Sequence, residues 1–280
     1  MQDKYSAVWV SHSSMGDFLR CPRLYYLHNV YKDPATGHKI SIVTPHMSLG
    51  IAVHEVLEGL GDYPADERMT RDLEKDYELA WRGVTGRRGG FADAAEEAAF
   101  KARGLAMLEN VRHNPRFLVN KRLKLKKETM NPNFFLSDDE NIILNGLIDW
   151  IEYLPETDSL HIVDFKTGKH EEKEGSLQLP IYLLLCNALQ KRAVTRASYW
   201  YLESDKLVEK ELPDAESAYR DVLAVALRVK EARVRKVFEC PNGSAGCKQC
   251  EPYEIILAKD PRALSVGVGG FNQDMYVVGA

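Results

Sequence analysis

The sequence predicts an α/β (α+β) fold: a central sheet flanked by helices, with a helical insertion and a cysteine-rich segment late in the chain. Three observations predict it. Apolar, β-prone runs at Ile142 to Tyr153, Ser159 to Lys166 and Ala197 to Leu202 are bounded by turn residues. Helical stretches flank them, at Met15 to His28, Met47 to Leu60, Leu177 to Gln190 and Asp214 to Arg235. A strongly charged helical region, residues 64–113, stands before the strands as an insertion and is broken by the glycine-rich stretch Gly83 to Gly90. Helices outside a short sheet give this layered arrangement.

Taken in order, Ser13 or Ser14 reads as the N-cap of the first helix, with Asp17 in its first turn. A polar loop with Pro34, Gly37 and Pro45 leads to the second helix. Phe117 to Met130 reads as a strand. Leu154-Pro155-Glu156-Thr157-Asp158 is a turn between the next two strands. The cysteine loop and a glycine-rich tail, Val266 to Gly270, close the sequence, and no internal repeat is visible. We expect one domain over residues 1–280, with the cysteine-rich segment at 238–257.

Composition bounds the functional classes. A chain of 280 residues is long enough to bury a sizeable core, and 45% hydrophobic with 28% charged residues is ordinary for a globular protein. A net charge of −4 argues against general coating of polyanions, so nucleic-acid contacts must come from local patches. The apolar runs Ile142 to Leu144 and Ile181 to Leu185 are too short to span a bilayer, and the opening Met1-Gln2-Asp3-Lys4 lacks signal-peptide architecture. A cytoplasmic protein is the expectation. Five cysteines are too few for a disulfide framework.

The most informative side chains are Asp149, Asp164 and Lys166. Two strands joined by a tight turn bring Asp149 beside Asp164, and the two-residue period of a strand puts Lys166 on the face of Asp164. Two acids and an amine backed by apolar residues are costly for structure alone, and suit a hard divalent cation and a phosphate.

The ordered set Gly50-Ile51-Ala52-Val53-His54, Gly146-Leu147-Ile148-Asp149, Asp164-Phe165-Lys166-Thr167-Gly168-Lys169 and Gln178-Leu179-Pro180-Ile181-Tyr182 resembles the PD-(D/E)xK nuclease superfamily. More narrowly it is similar to the RecB-like branch, which includes the RecB and AddB nuclease domains and the CRISPR-associated RecB-like exonucleases. The opening Ser13-Ser14 and Phe18 to Tyr26 resemble that branch's first helix. The resemblance spans roughly residues 11 to 250. It implies a restriction-endonuclease-like core with a central mixed sheet, and Mg²⁺ or Mn²⁺ held by His54, Asp149, Asp164 and the backbone carbonyl of Phe165. Taken alone, a histidine among Val53, Val56 and Leu57 is more often a core residue; the resemblance makes it a ligand. Glu58, one turn on, reads as a solvated helix face. Lys166 is expected to stabilise charge on the phosphate. Gln178 and Tyr182, four apart on one helix face, are expected to look toward the catalytic centre and the nucleic-acid strand, where the phenol can stack on a base.

Some RecB-like nucleases carry a [4Fe–4S] cluster on one N-terminal and three C-terminal cysteines, a count met by Cys21, Cys240, Cys247 and Cys250. The spacing departs from that pattern: Ile255 to Leu257 stand where the last ligand would fall, and Cys240 takes the vacant place. Iron–sulfur, zinc and a metal-free site all stay open. Cys186, inside Leu183-Leu184-Leu185, reads as a small buried hydrophobe. Lys121, Arg122, Lys124, Lys126 and Lys127, the pair Arg87 and Arg88, and Arg228, Arg233, Arg235 and Lys236 offer a route for DNA, although charge runs are usually solvated faces. Tyr199, Trp200 and Tyr201 read as strand core. The resemblance implies a metal-dependent DNA exonuclease acting on single strands or ends in repair or recombination, with a helicase or other repair or CRISPR proteins as partners. A CRISPR spacer-acquisition nuclease and a non-catalytic DNA-binding subunit on the same fold are the alternatives.

Overall fold

The computed structural model describes residues 3–125 and 131–279. The chain divides into two compact units, one of Pro45–Phe134 and Asn145–Ala218, the other of Met1–Thr44, Phe135–Leu144 and Tyr219–Ala280. Among the described residues its strands are β1 (Val8–Val10), β2 (Lys39–Ile42), β3 (Asn133–Ser137), β4 (Ile142–Asn145), β5 (Trp150–Leu154), β6 (Ser159–Lys166), β7 (Val194–Tyr201), β8 (Lys206–Lys210), β9 (Ala263–Gly269) and β10 (Gln273–Val278). The α-helices are α1 (His12–Arg20), α2 (Pro22–Tyr25), α3 (Pro45–Gly59), α4 (Leu73–Trp81), α5 (Ala94–His113), α6 (Gln178–Leu189), α7 (Ala215–Arg235) and α8 (Glu251–Leu257).

The unit of Pro45–Phe134 and Asn145–Ala218 is built on the mixed sheet β5-β6-β7-β8. β6 pairs antiparallel with β5 and parallel with β7, so it is central and all of it but Lys166 is buried. A strand covered on both faces reads as a near-continuous apolar run, which Leu160 to Phe165 does apart from His161 and Asp164. Helix α3 begins on Pro45, whose missing N–H costs nothing at a first helical position. Its Leu49, Val53, Val56 and Leu57, with Leu60 in the 3₁₀ turn that follows, recur at helical spacing and enter a core with Trp81, Trp150, Phe165 and Trp200. Residues 64–113 supply α4 and α5, which pack on α3; a Cβ at Gly104 would lie 2.0 Å from the Tyr77 hydroxyl, so this glycine permits the close approach.

The other unit contains the sheets β1-β4-β3 and β2-β10-β9. β1 runs parallel to β4, with Val8 opposite Ile142. β10 pairs antiparallel with β9 and parallel with β2. Its second core gathers Leu24, Leu27, Ile40, Tyr253 and Ile256 with Cys21 and Cys250.

Several sequence expectations are corrected. The first helix does not run unbroken from Met15 to His28: Ser11, not Ser13 or Ser14, caps α1 in a capping box with Ser14, and the chain turns extended at Cys21 because Pro22 disfavours helical backbone before it. α2 then continues into a π-helical turn, Tyr26–Val30. The run Ile142 to Tyr153 is two strands, broken at Gly146 to Asp149, and they enter different sheets. A Cβ on Gly146 would lie 2.9 Å from Leu185 Cδ1, so the break sits where the backbone runs close to a buried side chain. Phe117 to Leu125 makes a single 3₁₀ turn, Arg116–Val119, and one bridge between Arg122 and Glu152 instead of a strand. Lys126, Lys127 and the rest of that stretch to Met130 lie outside the described residues. The glycine-rich tail is the hairpin β9–β10, and α8 follows the last cysteine where no helix was expected. Among the described residues no helix is long and apolar enough to cross a membrane.

Candidate metal centre and active site

The first ligand-bearing element is α3. His54 and Glu58, four residues apart, share a helix face, and His54 Nδ1 lies 3.4 Å from Glu58 Oε1 and 3.5 Å from Asp149 Oδ1. Asp149 stands immediately before β5, in line with Asp164 by the register that pairs Trp150 with Val163. Its other oxygen, Oδ2, accepts the Phe165 N–H at 2.7 Å. Phe165 itself turns its ring into the core beside Trp200, and His54 meets that ring edge-on with centroids 6.0 Å apart. The ligand atoms of His54, Glu58 and Asp149 all lie within 4.8 Å of one another.

Asp164 is 3% exposed and held from three sides. Lys166 Nζ lies 2.8 Å from its Oδ2, while Gln178 Nε2 and the Tyr182 hydroxyl donate to Oδ1 at 2.7 and 3.0 Å. Lys166 also donates to Gln178 Oε1 at 2.7 Å, pairs with Glu172 at 3.2 Å and sits over the Tyr199 ring. Gln178 and Tyr182 thus share the expected helix face, but both are buried and both grip the acid. With the Tyr182 ring 6% exposed, no face is open for a base to stack on.

The electrostatics follow from this crowding. Burial, then the neighbouring charge of Asp149, pushes Asp164 up to about 6 against the pull of Lys166 and His54. Burial acts to lower Lys166, but Asp164 and Glu172 outweigh it and the ammonium titrates above its ordinary range. Burial also acts to lower His54, yet Asp149, Glu58 and Asp164 outweigh it and raise the imidazole to about 10. Carboxylate oxygens of Glu58 and Asp149 converging with the His54 imidazole nitrogen, beside the buried Asp164, are a donor set that fits a divalent cation.

Beneath the site lies Arg122, which sequence reasoning placed on a solvated basic face. Its guanidinium instead donates to the backbone carbonyls of Glu58 and Asp149 at 3.0 and 3.1 Å and stacks 4.3 Å over Trp150. Gly61 leaves it room, since a Cβ there would lie 1.4 Å from Arg122 Nη1. Lys124 is paired with Asp62, and Lys169 lies 3.6 Å from Glu203. Arg87 and Arg88 are exposed, and Tyr199, Trp200 and Tyr201 are buried as expected. Sequence reasoning missed Glu172 altogether: it lies in the polar run His170 to Glu174, where no spacing distinguishes one acid from the next.

In the other unit, Cys21, Cys240, Cys247 and Cys250 converge, with all four sulfurs within 4.8 Å of one another. Cys21 is brought in by the turn between α1 and α2, and its sulfur accepts the Leu24 N–H at 3.5 Å. Cys240 and Cys250 accept backbone N–H groups of Asn242 and Cys247 at 3.4 and 3.3 Å. Burial pushes the Cys250 thiol up to about 12, while the Cys250 N–H holds Cys247 down to about 7. A tetrad of sulfurs fed by backbone donors fits an iron–sulfur cluster or zinc. Cys186 is buried in α6, away from any such set among the described residues.

These features define a mixed-sheet core with an acid–lysine centre, the fold of a family of metal-using hydrolases. The chain belongs to the PD-(D/E)XK nuclease superfamily, whose family model matches residues 9–255. Members of that superfamily are in general nucleases that use divalent metals. No curated protein matches the chain.

Proposed function

We propose that the chain is a metal-dependent deoxyribonuclease of the RecB-like kind, an exonuclease acting on single strands or DNA ends. The observation that carries this reading is the buried Asp164, gripped by Lys166, Gln178 and Tyr182 beside the Asp149–His54 pair. An isolated surface ion pair would need none of this support, whereas a site that must hold a cation and a phosphate in fixed geometry does. His54, Asp149, Asp164 and the Phe165 carbonyl would hold Mg²⁺ or Mn²⁺, with Glu58 beside them. When bound, such an ion supplies an activated water and neutralises charge on the phosphodiester. Asp149 is oriented by the Phe165 N–H, and Asp164 by its three donors. Lys166 stays cationic and stabilises the negative charge that builds on the phosphate. Gln178 and Tyr182 position Asp164 and Lys166 in place of stacking on DNA.

The four cysteines would hold a [4Fe–4S] cluster that ties Cys21 to the segment around α8; zinc is the second reading, and the iron and zinc content of the purified chain decides between them. Degradation of end-labelled single- and double-stranded DNA with Mg²⁺ or Mn²⁺ tests the enzymatic reading. We expect chelation to abolish cleavage and Asp164→Ala to lower it by about 100-fold or more. Wild-type rates in that variant would defeat the assignment.

A further inference from the structure

A second concave site lies in the unit that carries the cysteines. A cavity of about 500 Å³ is lined by Arg23, Tyr26, Val30, Arg233, Lys236 and Phe238. That volume falls within the ~300–1,000 Å³ of small-ligand pockets, and the lining is half cationic and one third aromatic. The Tyr26 and Phe238 rings stack with centroids 5.0 Å apart, and the Arg23 guanidinium lies 5.8 Å from the Tyr26 centroid. Arg23 is neutralised by a two-point pair with Glu254, at 2.6 and 3.2 Å. Arg233 and Lys236 are exposed, and among the described residues neither forms an ion pair; Arg233 reaches only the Tyr25 hydroxyl, at 3.4 Å.

Positive charge therefore accumulates there. The Lys39 ammonium is half-buried and titrates below its ordinary range, first through burial and then through Arg233 and Lys32. The turn that presents these groups is also unusual. α7 ends with the Val237 N–H returning to the Ala232 carbonyl at 3.1 Å, a closure that puts Lys236 in the left-handed region at φ 55°. Glycine adopts that conformation without cost; a lysine takes it here, and Lys236 and Phe238 line the same cavity. Val234 and Val237 leave apolar surface next to it, 71% and 49% exposed.

We propose that this pocket binds one nucleotide unit of a single-stranded nucleic acid, its phosphate on Arg233 and Lys236 and its unpaired base against the Phe238–Tyr26 aromatic pair. Free cations beside a half-exposed ring meet the two chemistries of a nucleotide, and stacking requires a base face that a duplex keeps covered. The class of ligand rests on the nuclease reading above; the pocket itself does not use the acid–lysine centre.

Fluorescence anisotropy of a labelled oligothymidine, titrated with the whole chain in chelator across a salt series, tests the proposal. Arg233→Ala/Lys236→Ala should weaken binding and lower the slope of log K against log salt by about 0.7, the value for one lost phosphate contact on a single strand. Phe238→Ala should weaken it about 5- to 100-fold with the slope unchanged, and Phe238→Trp should keep wild-type affinity. The double variant changes surface side chains only, so it remains informative if Phe238→Ala misfolds. Wild-type affinity and slope in the double variant, or an equal loss for duplex DNA in Phe238→Ala, would overturn the proposal. Binding without metal-dependent cleavage would defeat the nuclease reading and leave the pocket standing; cleavage with unaltered binding in the variants would do the reverse.

Discussion

Arg122 ties together the two backbone segments that deliver the candidate ligands. One guanidinium nitrogen carries the carbonyl of Glu58, at the end of α3, and the other carries the carbonyl of Asp149. Groups that orient metal ligands from behind typically change metal affinity or activity by about 10- to 100-fold when lost. Arg122→Ala should therefore lower metal-dependent cleavage by about that factor, and added guanidinium should restore part of it. Activity within twofold of wild type would show that Trp150 and the strand hold the segments unaided. This residue shows how far side-chain type alone carries. Asp149, Asp164 and Lys166 were legible because strand periodicity fixes their faces. Arg122 was legible only as a charge, because the sequence does not say that its segment makes one bridge to Glu152 instead of a strand and that its head turns inward. Tyr182 was legible as a member of the site but not in its role, since its burial depends on how α6 packs.

Across elements, β5, β6 and β7 are linked by a buried polar chain. Asn120 Nδ2 and His161 Nδ1 lie 2.6 and 2.8 Å from the two oxygens of Glu152, and His161 Nε2 lies 2.8 Å from Ser198 Oγ. Burial pushes Glu152 up, but His161 and Asn120 outweigh it and hold its carboxyl below the usual range. A depressed folded value contributes stability that is present above the unfolded value of about 4.3 and lost as pH falls through the folded one. Glu152→Gln should thus lower the melting temperature at pH 7 and flatten its decline below pH ~4; thermal melts from pH 3 to 7 check this, and parallel curves would refute it. Whereas the run from Phe117 was not a strand and β1, β2, β3 and β8 gave no such signal, strands β4 to β7 were legible from β-prone runs and turn residues. Their partners were not: the break at Gly146 that sends β4 and β5 to different sheets depends on a neighbour, Leu185, which lies far along the chain. Likewise the hairpin β9–β10 hides behind glycines that usually signal loops.

At the scale of the whole molecule, a net charge of −4 leaves any nucleic-acid contact to local groups, and among the described residues each compact unit carries one convergent cluster of candidate metal ligands. Both clusters draw residues from distant parts of the chain: His54 with Asp149 in one, Cys21 with Cys250 in the other. Motif order pointed to His54 and Asp149, and the cysteine count to Cys21, Cys240, Cys247 and Cys250, before any fold was known; Glu58, read as a solvated helix face, joins His54 and Asp149 only in the fold. The helical region 64–113, which packs on α3 behind His54, was visible only as helix, because its buried residues serve packing and carry no chemistry of their own. The central claim is that His54 and Asp149 grip a divalent ion beside Asp164. Anomalous diffraction from crystals of the chain grown with Mn²⁺ tests it most directly. A manganese peak in contact with His54 and Asp149, lost in Asp149→Ala, is the predicted result; a fully occupied manganese elsewhere, with those side chains turned apart, would contradict it.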